Sequence, residues 1–192
     1  MNYYVIRVEP QREQVFSEQT AKQLDDPAVQ VMFPRRKMIH LRKGKRKEVE
    51  VALFPGYVFL RLETPLEAPL YDKLKRVPGF VLFLKQEGEA QEVKGPDLKL
   101  LSHFLRFGEV VPVSTVWFDE NQRIRVHSGP MEGLEGQVIH VDKRKRRAKI
   151  RLDFDQGEFT ITLAFEVLEK MPESPTTAAG AAKAAGAAKG AP

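Results

Sequence analysis

The sequence predicts an α+β chain of two domains, a ferredoxin-like, RNP-like α/β sandwich followed by a small β-barrel. Three observations predict it. Helical and extended periodicities alternate up to about residue 107, the helical period vanishes in the next block, and large apolar side chains stop at Pro172. Alternating elements call for a layer of helices on a sheet, and a run of short strands without helices calls for a closed or nearly closed sheet.

Taken in order, Tyr3 to Val8 reads as a strand, and Gln11 to Leu24 carries Val15, Phe16 and Leu24 at helix-compatible spacing. Val29 to Ile39 is extended. The basic stretch around Gly44, followed by Glu48-Val49-Glu50-Val51, reads as a hairpin, and Phe54-Pro55-Gly56 as a turn. Tyr57 to Leu62 is the clearest strand. Leu66 to Arg76 suits a short helix, Phe80 to Leu84 a buried strand and Pro96 to Phe107 a closing helix. This order matches a split βαβ arrangement. Beyond it, Arg123 to Val126, Gly136 to Val141, Ala148 to Leu152 and Phe159 to Leu163 are strand-like segments punctuated by Gly, Pro and Asp. About five strands in so short a block favour a barrel, because closure removes exposed edges. The expected boundaries are 1–107 for the first domain, 108–119 for a linker whose valines allow partial order, 120–171 for the barrel and 172–192 for a disordered tail. The Ala-, Gly- and Lys-rich tail carries nothing to offset the entropy of ordering.

Composition narrows the function classes. The chain has 192 residues, 42% hydrophobic and 30% charged, with no cysteine. No apolar run reaches the roughly 18 residues of a membrane span, and the N-terminus shows no basic-then-apolar secretory pattern. Absence of cysteine removes disulfides, thiolate nucleophiles and Cys-ligated zinc, and fits a reducing cytoplasm. His40, His103, His127 and His140 are scattered without chelating spacing, and no phosphate-binding glycine loop follows a strand. No cofactor, no metal and no catalytic role are therefore expected. The net charge of +5 is concentrated, with Arg35-Arg36-Lys37, then Arg42, Lys43, Lys45, Arg46 and Lys47, and later Lys143, Arg144, Lys145, Arg146 and Arg147. Such runs suit a polyanion, nucleic acid first, although a solvated hairpin tip would read the same.

Two further constellations point to binding. On a strand, Val58, Leu60 and Leu62 share one face while Tyr57, Phe59 and Arg61 share the other. Helices cover only one face of so small a sheet, so Tyr57 and Phe59 are expected on an open face, as a docking surface for bases or for an apolar helix. The competing reading buries both rings under the basic hairpin or another loop. The second constellation, Gly129-Pro130-Met131-Glu132-Gly133-Leu134-Glu135-Gly136, supplies glycines where a tight turn between barrel strands needs positive φ.

At this point the residues resemble a known family. Phe54-Pro55-Gly56-Tyr57-Val58-Phe59 with Val77-Pro78-Gly79-Phe80 is similar to the N-terminal domain of NusG proteins. Ile124-Arg125-Val126-His127-Ser128-Gly129-Pro130 through Val138-Ile139-His140-Val141-Asp142 resembles a KOW motif, which makes the barrel SH3-like. Thr160 to Lys170 is similar to the ending of the family's KOW domain. The resemblance spans residues 3–170 and implies a transcription elongation and antitermination factor. Its first domain would grip the clamp helices of bacterial RNA polymerase's largest subunit and disfavour pausing. Tyr57, Phe59 and Phe83 match the apolar contact positions, and Tyr4 is added as a fourth. The turn Thr64-Pro65-Leu66-Glu67-Ala68-Pro69 would reach the far side of the DNA channel, without the hydroxyl cluster of some paralogues.

The KOW barrel would act as a tethered recruiter of nascent RNA, a ribosomal protein or Rho. Phe154 and Gly157 belong to the loop that matches the family's partner contact. That loop is one residue longer and acidic where a basic residue is common, which weakens the expectation of Rho or ribosomal protein. The run Lys143 to Arg147 favours RNA, and the hairpin around Gly44 would touch upstream or non-template DNA. Together these features lean toward a specialised antiterminator of the RfaH or LoaP kind, working as a monomer with no membrane partner. The rival is a ribosome-associated or general RNA-binding KOW protein, which would use the basic runs alone.

Overall fold

The computed structural model describes residues 1–42, 45–86, 89–154 and 157–168, apart from the side chains of Leu41, Arg42, Lys85 and Gln86. Lys43 and the expected tail lie outside the described residues.

The elements run β1 (Asn2–Val8), α1 (Glu13–Leu24), β2 (Val29–Met32), β3 (Arg35–Arg42), β4 (Lys45–Ala52), β5 (Tyr57–Leu62), α2 (Ala68–Lys75), β6 (Phe80–Phe83), β7 (Lys85–Gln86), β8 (Glu89–Ala90) and α3 (Gly95–Leu105). There follow β9 (Val110–Val111), β10 (Ser114–Phe118), β11 (Ile124–Ser128), a 3₁₀ turn (Glu135–Gln137), β12 (Val138–Asp142), β13 (Arg147–Phe154) and β14 (Gly157–Val167). β2, β5, β1 and β6 form one sheet in that order, the split βαβ arrangement the sequence predicts, with the β3–β4 hairpin inserted before β5. Tyr4, Ile6, Val58, Leu60 and Leu62 point to one face, where Phe16 of α1 and Leu74 of α2 close a core around Phe83. The turn before β5 is fastened to α1: the Gly56 amide donates to Glu13 Oε1 at 2.7 Å and Val8 N–H to the Gly56 carbonyl at 2.8 Å.

The second domain is a five-stranded sheet in the order β11-β10-β14-β13-β12, wrapped round Val116, Met131, Ile150, Leu152, Ile161, Leu163 and Phe165. β13 alternates buried Ala148, Ile150 and Leu152 with exposed residues, the period-two signature of a sheet with one wet face. Gly129 adopts φ +103°, and a Cβ there would stand 2.8 Å from the Ser114 Cα. The adjacent Ser114 Oγ accepts from the Met131 amide at 3.0 Å, so the glycine lets the turn lie directly on β10.

The stretch expected as a linker is largely built into the two sheets. Val110 and Val111 pair in parallel with Arg35 and Arg36, making β9 a third strand beside the hairpin, and β10 pairs with both β11 and β14. Only Pro112 and Val113 separate them. Val111 and Val116 are both fully buried, which is what their apolar side chains gain by pairing.

Candidate interaction surfaces

β5 presents two faces with different covers. The Val58–Leu60–Leu62 face lies under α1 and α2. The opposite face carries Tyr57 and Phe59, flanked by Val5 of β1, and it does not lie open as the sequence suggests. Phe59 is only 4% exposed and Tyr57 is half-buried. Phe54 meets Phe59 edge-on at 5.4 Å between ring centroids and Phe104 of α3 at 5.9 Å. The remaining cover comes from the other domain. Phe154 and Phe159, at the ends of β13 and β14, stand 6.1 Å from Phe54, and Phe159 meets Tyr57 edge-on at 5.2 Å. Perpendicular ring pairs at these spacings gain from edge-to-face electrostatics as well as burial. A cleft of about 220 Å³ remains among Val5, Tyr57, Phe59, Val93, Leu101 and Phe159. The competing expectation of covered rings is thus the nearer one, but the cover comes from the strand ends of the barrel and not from the basic hairpin.

Tyr4 and Phe83 do not join this surface. Tyr4 is 5% exposed on the helix-covered face, where its hydroxyl accepts from the Leu66 amide at 3.0 Å. Phe83 is fully buried on that same face, stacked on Tyr71 at 4.9 Å. Strand period decides both: Tyr4 faces Leu60 across the ladder, not Phe59, and Phe83 faces Ile6.

A second line of contact joins the domains beside β3. Met38 and Ile39 pack on Ala164, and Arg147 Nη2 donates to the Ile39 carbonyl at 3.2 Å. Arg46 and Glu166 form an ion pair. On the α3 side, His103 Nε2–H donates to the Pro130 carbonyl at 2.8 Å, and Arg106 lies 3.8 Å from Glu132. This seam also holds a like-charge encounter. Arg36 donates to the carbonyls of Ala52 and Leu53, yet its Nε and that of Arg147 are buried with no partner among the described residues. Burial first, and the Arg147 guanidinium second, push the Arg36 pKa down to about 10. A value of about 10 leaves Arg36 cationic at neutral pH, so the closed seam holds its charge against the Arg147 guanidinium.

The predicted basic residues separate into bound and free. Lys45, Arg46 and Lys47 are exposed on β4, Arg46 alone forming an ion pair among the described residues, while the side chain of Arg42 lies outside them. In the barrel turn, Lys143 folds back onto Gln122 at 2.6 Å and over the Phe118 ring at 4.0 Å, and Lys145 pairs with Asp142 at 3.6 Å. Arg144 and Arg146 are exposed without an ion pair among the described residues. The Lys145 amide, then the nearby cations, hold the Asp142 carboxyl below the ordinary range; the Arg123 amide first does the same for Asp119. Of the partner loop, Phe154 is committed to Phe54, and the Gly157 backbone pairs with it in the β13–β14 ladder. Among the described residues no cluster of His, Asp or Glu could hold a metal ion, and no helix is long and apolar enough to cross a membrane.

Comparison with known proteins decides the family. The family described as "Transcription termination factor nusG" matches residues 1–101, more than half of the chain. The chain belongs to the NusG family. A NusG from Synechocystis sp. is 30% identical over 76% of this chain and 75% of its own length. One from Neisseria meningitidis is 23% identical over 88% of this chain and 97% of its own. Both are named "Transcription termination/antitermination protein NusG". A solved structure described as "Domain interaction in Thermotoga maritima NusG" shares the fold with TM-score 0.51 at 20% identity, covering 85% of this chain and 93% of that one. Membership makes the chain a transcription elongation and antitermination factor with RNA polymerase as its partner. Sequence reasoning missed Phe54, Phe104 and Phe159 as parts of the ring cluster. Phe159 was legible only as a barrel strand residue, because nothing local indicates that its ring leaves its own domain.

Proposed function

We propose that this NusG-family chain engages the clamp helices of RNA polymerase through the Tyr57–Phe59 face of its first domain, and that the barrel must first leave that face. The observation that carries this reading is the nature of the cover. Beyond Phe54 and α3 of its own domain, the aromatic face is closed by two rings, Phe154 and Phe159, of a domain joined through Pro112 and Val113, around a cleft that their packing leaves partly unfilled. An apolar helical pair can replace such a cover like for like, whereas the α1–α2 cover of the other face is part of the domain's own core. The chain works in the cytoplasm, where the polymerase is, and performs no covalent chemistry. Once released, the β13–β14 hairpin is free to meet a second partner. The exposed cations of β4 and the barrel turn contact nucleic acid, nascent RNA foremost.

The test is binding of a labelled clamp-helix coiled coil to the full chain. Phe59→Ala should weaken it by about 2 kcal/mol, roughly 30-fold, as expected of a buried aromatic anchor. Phe154→Ala/Phe159→Ala, which leaves the first domain untouched, should strengthen it by removing the competing cover. Equal affinity for the parent chain and Phe59→Ala would overturn the proposal.

A further inference from the structure

The two basic runs stand about 100 residues apart in the sequence but meet in the closed molecule. Arg46 pairs with Glu166, while the neighbouring Phe165 amide donates to the Arg146 carbonyl at 3.0 Å and Arg147 donates to the Ile39 carbonyl. Hairpin and barrel turn therefore flank the same short stretch of β14. One carboxylate, Glu166, answers Arg46; Lys45, Lys47, Arg144 and Arg146 are exposed without an ion pair among the described residues. Beneath them, Arg36 and Arg147 face each other, their Nε groups without a partner among the described residues. Closing the molecule gathers positive charge from two domains, which an extended anion would compensate.

We propose that the closed conformer carries one continuous phosphate-binding track for a nucleic-acid strand, running from Lys45 and Lys47 of the hairpin to Arg144 and Arg146 of the barrel turn. It rests on the reading that these runs contact nucleic acid, and adds that binding and domain closure favour each other. A strand bound to one run presents its next phosphates to the other only when the domains are together, so the second contact becomes intramolecular. Reciprocity then requires the strand to stabilise closure by the same factor by which closure tightens the strand. A polyanion suits the track better than a small ion, because the free cations are spread along two elements and each neutralised phosphate releases counterions.

The test measures anisotropy of a labelled 20-nucleotide single-stranded RNA with the full chain over a range of salt. Phe154→Ala/Phe159→Ala removes no charge and opens the molecule. It should weaken binding about 10-fold and flatten the log–log salt slope by roughly 1.5. Lys45→Ala/Lys47→Ala and Arg144→Ala/Arg146→Ala should be strongly coupled in the closed chain and additive in the opened one. Because the chain has no native cysteine, dyes at Glu63→Cys and Glu120→Cys report opening, and RNA should raise their energy transfer. Oxidised Met38→Cys/Ala164→Cys, which ties two residues of one packed cluster, provides a closed control that should bind RNA at least as tightly as its reduced form. RNA that binds open and closed chains equally, or lowers energy transfer, overturns the track while leaving the nucleic-acid contact standing. RNA that binds no variant overturns both. The same measurement with duplex DNA tells which nucleic acid the track takes.

Discussion

The two faces of β5 use the same residue chemistry and reach different ends. Val58, Leu60 and Leu62 are sealed by α1, which follows the neighbouring β1, and α2, which follows β5 itself. Tyr57 and Phe59 are sealed by α3, Phe54 and two rings from a domain that begins more than fifty residues later. Burial is nearly equal, with Leu60 at 0% and Phe59 at 4%. What differs is the coupling to folding. The cover of the first face belongs to the domain's own core, whereas part of the cover of the second comes from the barrel, which moves away in the proposed mechanism. Low exposure alone does not tell the two faces apart; the origin of the covering residues does.

Truncation on the helix-covered face should have the largest effect. Phe83→Ala, stacked on Tyr71 and fully buried, should destabilise the first domain by about 3–5 kcal/mol in denaturant titration. A small loss would mean that this face is less permanent than its cover implies. Next comes removal of the barrel itself. Gly129→Ala combines a positive φ with a collision against the Ser114 backbone and should cost the barrel about 1–3 kcal/mol. Hydrogen exchange should then rise in β10 to β14 and at Tyr57, but not at Leu60. A gentler change is Phe159→Ala, which should weaken closure by about 1 kcal/mol without unfolding either domain. Fluorescence of Trp117 and the melting of the first domain should stay as they were while small-angle scattering shows expansion.

The smallest effect concerns acid. Asp119 and Asp142 brace barrel turns, and amide donors hold their carboxyls below the ordinary value of 3.8. A depressed folded pKa contributes stability that is present above about 3.8 and lost as pH falls through the lowered value. The barrel, followed by its single tryptophan, Trp117, should therefore loosen below about pH 3.8. Asp119→Asn should flatten that acid limb. An unchanged limb would show that the turns do not depend on charge.

Legibility tracked the range of the interaction. The strands, the three helices and the hairpin were readable because hydrophobic period and turn residues act over a few neighbours. β10 was hidden within an apparent linker, since Ser114-Thr115-Val116-Trp117-Phe118 gains its order from pairing with β14, some fifty residues away. Tyr57 and Phe59 were legible as one side of a strand, but Tyr4 and Phe83 were assigned to that side although strand register turns them to the other. The five-residue basic run looks uniform in sequence; the fold binds Lys143, Lys145 and Arg147 and leaves Arg144 and Arg146 without an ion pair among the described residues.

The sequence by itself determined the two-domain α+β architecture, the side of β5 on which the rings lie, the basic runs and the family resemblance, because each is written in local period, composition or motif. Only the tertiary structure decided that Phe154 and Phe159 cover Tyr57 and Phe59, and that hairpin and barrel turn bring their charges together. Those outcomes depend on how two separately folded surfaces dock. Docking is governed by shape and charge across residues distant in the chain, for which a linear pattern holds no signal.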